Sequence, residues 1–367
     1  MKLDRLCDNR TVMEVRCEPM DDRHGRDVLV VIAKMTWAVS PLGQCSIAAP
    51  PSPIRMGDIP SSDKFQAGIR FPSDAVEEKA GTDIVLLGTA YPATESTTEQ
   101  EVSLRIESKR ATLRKSIKVY GPRSFVPTLF GIAPGPPGKL TPTPLLYELS
   151  YGGYDDSDPK NIVYDRRNPA GMGFMERRHK LVGKPAPCIE DPKAPLSSRN
   201  PAPAGLGPIP MHWSPRCERI GTHDDAWHRE RAPVRPTDFD IRFNSCAPAD
   251  LWSETPLLGT EPVEVLGATP EGVWRFQLPR YSPVFKGITK GLLTEYPTHL
   301  DTYLIDADQR RVELSWRVRI PIPIKTEFLE KVLVFSSEPL PEPMMKDLAA
   351  RVKPREQAVS VASEEAS

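Results

Sequence analysis

Apolar positions recur along this chain with a period of two far more often than with a period of 3.6. Val312, Leu314, Trp316, Val318 and Ile320 alternate without a break with Glu313, Ser315, Arg317 and Arg319, the pattern of a half-buried β-strand. Val102, Leu104 and Ile106 alternate with Ser103 and Arg105, and Ile117 and Val119 with Ser116 and Lys118. Val28 to Trp37 is instead a nearly continuous apolar, β-branched run, which predicts a strand buried on both faces. Val332 to Phe335 reads as one further strand. Helical spacing is strong only near Pro343 to Val352, where Met344, Leu348 and Val352 share a face. The expected class is mainly β with few short helices.

Proline changes this picture in the middle of the chain. The 367 residues include 41 prolines, roughly double the usual ~5%, and proline is barred from helix interiors and central strand ladders. Nine of them fall between Pro185 and Pro215. Trp213, Trp227, Phe239, Phe243 and Trp252 lie in or after the same stretch, and disordered segments are poor in aromatics. The division that follows is an N-terminal β-rich region (1–120), an ordered Pro- and Gly-rich wrap (121–262) and a C-terminal β-rich region (263–340). The two β-rich regions are expected to be sandwich-like, bridged by the wrap, whose tryptophans pack against them. A short helix (341–355) and a disordered tail (356–367) complete the chain. The word Leu-Leu-Gly-Thr at Leu86 and again at Leu257 hints at a duplication.

Charge excludes some partners. The formal net charge is −1 and the basic residues are interleaved with acidic ones, so neither nucleic acid nor an anionic membrane surface is expected. The first ten residues carry charges where a signal peptide needs an apolar run, and no window approaches the roughly 18 apolar residues of a membrane helix. Six cysteines occur without CxxC spacing and are expected as free thiols. A cytoplasmic protein is expected.

The catalytic candidates are weak. His179, Cys188, His212, Cys217, His223 and His228 are zinc-ligand types without ligand spacing. Asp155, Asp156, Asp158 and Asp165 offer hard oxygen ligands, but turn hydrogen bonding explains them equally well. Glu190-Asp191, Asp224-Asp225 and the Asp238/Asp240 pair are acid/base candidates. No nucleophile elbow, P-loop or dinucleotide glycine pattern accompanies them. The expectation is no catalytic residue, no metal and no cofactor. A recognition surface fits better. Tyr151, Tyr154, Arg166, Arg167, Asn168, Phe174 and Arg177 crowd one Gly-punctuated loop, and Tyr and Arg are the residues that dominate protein interfaces. Asp238, Asp240 and Arg242 form a second candidate patch.

An ordered string of motifs runs through the wrap. It comprises Tyr151-Gly-Gly, Asn168-Pro-Ala-Gly-Met-Gly-Phe174, Ile189-Glu-Asp-Pro192, Pro203-Ala-Gly205, Gly207-Pro-Ile209, Trp213-x-Pro-Arg216, Gly221-Thr-x-Asp224, Trp227, Pro236-x-Asp-Phe-Asp-x-Arg242 and Ala247-Pro248. The string resembles a bacterial family carried as a domain of unknown function, encoded in type VI secretion loci beside spike (VgrG-type), PAAR-tip and toxin genes. The resemblance implies a cytoplasmic adaptor or chaperone that helps load a toxin or PAAR-type effector onto the secretion spike. Its partners would be that effector toxin or the PAAR/VgrG spike protein. The alternatives are a hydrolase or metalloenzyme using the Asp/His-rich wrap, and a structural component of the secretion apparatus.

Overall fold

The long apolar run forms the strand Asp27–Val39, and it is buried on both faces as its pattern predicts. Leu29, Val31, Ala33, Met35 and Trp37 belong to the main core, while Val28, Val30 and Ile32 pack with Met20 and Ile54 on the other side. The computed structural model describes residues 6–63, 66–108, 112–322 and 329–352. Among them the protein is mainly β, with two α-helices.

Three sheets carry the fold. A seven-stranded sheet has the order Trp252–Ser253, Thr82–Leu87, His299–Asp306, Arg311–Pro321, Asp27–Val39, Glu14–Asp21, with Cys45–Ile47 also paired to Asp27–Val39. A five-stranded antiparallel sheet has the order Ile189–Glu190, Thr112–Tyr120, Glu99–Glu107, Val263–Leu266, Val273–Phe276. A four-stranded sheet runs Cys7–Asn9, Leu329–Ser336, Pro283–Thr289, Leu292–Tyr296. Strands from 1–120 and from 263–340 are interleaved in all three: Trp316 faces Ala33, Leu304 faces Val85, Val265 faces Leu104 and Leu333 faces Asp8. The two β-rich stretches of the sequence therefore build shared sheets, and side chains from all three sheets belong to one apolar cluster.

The strand Arg311–Pro321 departs from its pattern. Trp316 is buried as expected, but Glu313, Ser315 and Arg317 on the polar face are buried as well. Pro53, Arg55, Asp74 and Val76 bond to side chains of that layer, and ion pairs satisfy it. Arg317 pairs with Asp301 and donates to the carbonyls of Asp74 and Val76. Glu313 accepts from Arg55 at 2.6 and 2.7 Å and from Lys34 at 3.4 Å. Lys79 donates to Asp83 at 2.6 Å and to Thr302 at 2.9 Å. A strict polar alternation thus marks a second buried layer here, held by paired charges.

The Pro-rich middle contains short two-residue bridges and 3₁₀ turns, plus the helix Asp225–Glu230. Trp213 is fully buried with its ring edge-on to Tyr147 at 5.7 Å. Trp227 was expected against the β regions, but its contacts are with the residues flanking its own short helix. Its indole N–H donates to the Val234 carbonyl at 2.8 Å and its ring lies between His223 and His228. The helix Glu342–Val352 falls within the predicted 341–355, whereas 356–367 lies outside the described residues. The two Leu-Leu-Gly-Thr words differ at their second position: Leu87 is buried in a strand, whereas Leu258 is 66% exposed outside one; Leu86 and Leu257 are both buried. No helix among the described residues is long and apolar enough to cross a membrane.

Candidate functional site

The two glycine-rich motifs lock together through Asn168. Its side-chain amide, fully buried, donates to the carbonyls of Tyr147 at 2.8 Å and Tyr151 at 3.0 Å. Its backbone carbonyl accepts from Gly153 N–H at 2.8 Å. Tyr151–Gly152 then pairs in parallel with Met172–Gly173, and the Phe174 N–H donates to the Gly152 carbonyl at 2.9 Å. Gly152 has φ +145°, and a Cβ there would stand 2.2 Å from the Asn168 carbonyl oxygen, so only glycine fits. Asn168, expected at a partner surface, is fully buried and braces the loop, while Phe174 is half-buried.

The charged candidates divide. Arg167 grips Asp165 at 2.9 and 2.6 Å, reaches the Pro201 carbonyl at 3.1 Å and lies over the Tyr151 ring. That pairing raises the Arg167 pKa, and burial raises that of Tyr151. Arg166 and Arg177 are exposed, and the Arg166 guanidinium approaches the Cys217 sulfur at 4.0 Å. Asp238 accepts from the N–H and hydroxyl of Thr222, which holds its carboxyl below the usual range. Asp240 is lowered chiefly by the Arg242 fork bound to it at 2.6–3.2 Å.

The remaining acids serve turns or a buried ion pair. Asp155 accepts from the N–H groups of Ser157 and Glu176, and Asp158 from Lys160. Glu190 accepts from Arg123 and from Leu196 N–H. His179, Cys188, His212, Cys217, His223 and His228 do not converge, and no group of three or more metal-ligating side chains occurs among the described residues.

Two surfaces emerge around this frame. On one side Tyr154, Ile162 and Tyr164 are 56%, 57% and 47% exposed. They stand on the short hairpin Tyr154–Asp155 and Val163–Tyr164 and rim a cleft of about 640 Å³. On the other side the motifs enclose a cavity of about 330 Å³. Arg167 and Arg242, from the two separate sequence candidates, meet on its wall beside Lys115, Arg216 and Arg219, with Asp250 the single lining carboxylate. Gly205 shapes the adjoining floor: a Cβ there would stand 2.4 Å from the Tyr147 ring, which itself lines the cavity. Burial raises the Tyr147 pKa.

Arg216 was passed over as a site residue although it closes the Trp213-x-Pro-Arg motif. It is 5% exposed, donates from Nε to the Phe243 carbonyl at 3.0 Å and from Nη1 to the Ile209 carbonyl at 2.6 Å. The available signal was an arginine closing a short Trp-x-Pro-Arg motif directly after Pro215.

Fold and site define a mainly β protein whose motif-bearing loops are rigidly braced between an exposed aromatic hairpin and an arginine-lined cavity. The chain belongs to the family described as "Uncharacterized protein conserved in bacteria (DUF2169)", whose profile matches residues 24–317. No curated protein matches the chain. No solved structure matches it either.

Proposed function

We propose that this protein is a cytoplasmic, non-enzymatic adaptor or chaperone that helps load a toxin or PAAR-type effector onto a type VI secretion spike. The motif string in the wrap, similar to that of proteins encoded in such loci, supports the secretion context. The observation that carries a binding role is the exposed Tyr154, Ile162 and Tyr164 cluster on a hairpin whose base is fixed by Asn168 and Asp165. Aromatic groups presented on a rigid frame lose little entropy on binding and are the residues that act as interface anchors. We read residues 121–262 as an ordered wrap and the seven- and five-stranded sheets as sandwich layers over their common core.

The test is co-expression with the effector and PAAR or VgrG proteins encoded beside the gene. The wild type is expected to co-purify with one of them. The Tyr154→Ala/Tyr164→Ala variant is expected to keep its melting temperature and lose at least tenfold in affinity. Undiminished capture by that variant would move the surface elsewhere. A protein found in secreted spike fractions at the abundance of the spike itself would favour a structural part of the apparatus.

A further inference from the structure

We infer that the cavity closed by Arg216 is a binding site for a carboxylate carried on an apolar body. Five cationic side chains line it, Lys115, Arg167, Arg216, Arg219 and Arg242. Four have carboxylate partners: Arg167 with Asp165 at 2.6 Å, Arg242 with Asp240 at 2.6 Å, Arg219 with Asp240 at 3.9 Å and Lys115 with Asp250 at 3.6 Å. Arg216, the most buried of the arginines, has none among the described residues. Its hydrogen bonds go to two neutral carbonyls, and its guanidinium carbon lies 5.8 Å from the Phe243 ring centroid. Carbonyls satisfy N–H groups but do not neutralise a charge, and a buried guanidinium without a counter-ion is costly. An arriving anion would remove that cost.

The shape and lining select the anion. The cavity, about 330 Å³, lies at the small end of ligand sites. Ile209, Pro248 and Trp252 give it apolar walls, and the unpaired charge sits on one guanidinium, whose planar edge matches a carboxylate. A phosphate has no apolar body to fill the space between those walls, whereas an acid with an apolar side chain has one. Two sources carry the chosen chemistry: the terminus of a polypeptide and a free organic acid. The site does not depend on the adaptor reading, since loss of partner capture would leave carboxylate binding intact.

Calorimetric titration of the full-length protein with N-acetyl-leucine, N-acetyl-leucinamide, the tripeptide Ala-Ala-Leu with a free terminus and inorganic phosphate tests this. N-acetyl-leucine is expected to bind at least tenfold more tightly than its amide and than phosphate. Tighter binding of the tripeptide than of N-acetyl-leucine marks a chain terminus as the source, and the reverse marks a free acid; either supports the site. Arg216→Gln should abolish binding, but it also removes two hydrogen bonds that hold the fold. Ala249→Glu is the cleaner variant: residue 249 is exposed at the cavity rim, and the new side chain supplies the missing carboxylate internally. It should fold normally and lose at least tenfold in affinity. Equal binding of acid and amide, phosphate binding as tight as the acid, or undiminished binding by a folded Ala249→Glu protein would overturn the assignment.

Discussion

Asn168→Ala separates bracing from recognition in the loop that carries the clearest motifs. The wild-type amide makes two hydrogen bonds from a fully buried position, to the Tyr147 and Tyr151 carbonyls. Removing it affects the two acceptors unequally. The Tyr147 carbonyl still accepts from Ser150 N–H at 3.0 Å, so its loss is that of one ordinary hydrogen bond, about 1 kcal/mol. The Tyr151 carbonyl loses its side-chain donor in a part-buried site, which costs about 1–3 kcal/mol. The side-chain Oδ1 of Asn168 is buried without a partner, so nothing is lost there. The expected destabilisation is about 2–4 kcal/mol. With an unfolding entropy near 2.1 cal/mol/K per residue, a chain of 367 residues would melt roughly 3–5 °C lower. Thermal melts followed by circular dichroism read this directly. Asn168→Asp should be at least as damaging, because it replaces the donor by an acceptor facing two carbonyl oxygens. A melting temperature unchanged in Asn168→Ala, together with lost partner capture, would refute the bracing argument and return Asn168 to the recognition surface.

Other perturbations follow from the same geometry. Trp316→Ala should destabilise by about 3–5 kcal/mol, as large-to-small core changes do, and an unchanged melting temperature would contradict its burial at 3% exposure. Gly205→Val should lower the melting temperature markedly, since its side chain meets the Tyr147 ring; a normal melt would mean that the ring moves freely aside. Arg166→Ala should leave stability unchanged, whereas Arg167→Ala, which frees the buried Asp165, should not; equal melts would show that the Asp165 pairing is worth little. The carboxyls of Asp301 and Glu313 are both subject to burial, which raises them, but Arg317 and Arg55 hold them below their ordinary values. Folded values below unfolded ones give stability that is present above about pH 4 and lost as the pH falls further. Acid titration should show that loss, and Asp301→Asn should be less stable at pH 7 with a shallower acid slope; an identical slope would count against the ion pair.

Most of the β structure was legible because period-two alternation and continuous apolar runs need no knowledge of partners. Asp27–Val39, Glu99–Glu107, Thr112–Tyr120 and Arg311–Pro321 all contain the stretches that predicted them. Which strands pair was not legible. Nothing local in Val102 or Val265 announces that they lie in neighbouring strands of one sheet, so two stretches far apart in sequence read as separate regions. The burial of Glu313 and Arg317 was hidden for a related reason. A polar residue facing solvent and one facing a buried opposite charge look alike in one sequence, and their partners, Arg55 and Asp301, lie 258 and 16 residues away.

The site was legible as a place but not as a set of roles. Tyr, Gly, Asn and Arg in one irregular loop pointed to it, and Arg167 and Arg242 line one cavity. Composition could not say which of those side chains face inward. Asn168 is fully buried and Tyr154 is more than half exposed, yet both belong to motifs of the same kind. The difference lies in the backbone: two glycines with positive φ, Gly152 and Gly153, fold the chain so tightly that an amide must fill the space between carbonyls, while the hairpin beyond them points outward. Arg216 escaped for the opposite reason. Its motif is short, so its lack of an ion-pair partner becomes visible only when Asp165, Asp240 and Asp250 around the cavity are seen to pair with the other cations. A charge left over once the ion pairs are assigned is a property of the assembled fold, and it is the property that gives the cavity a chemical preference.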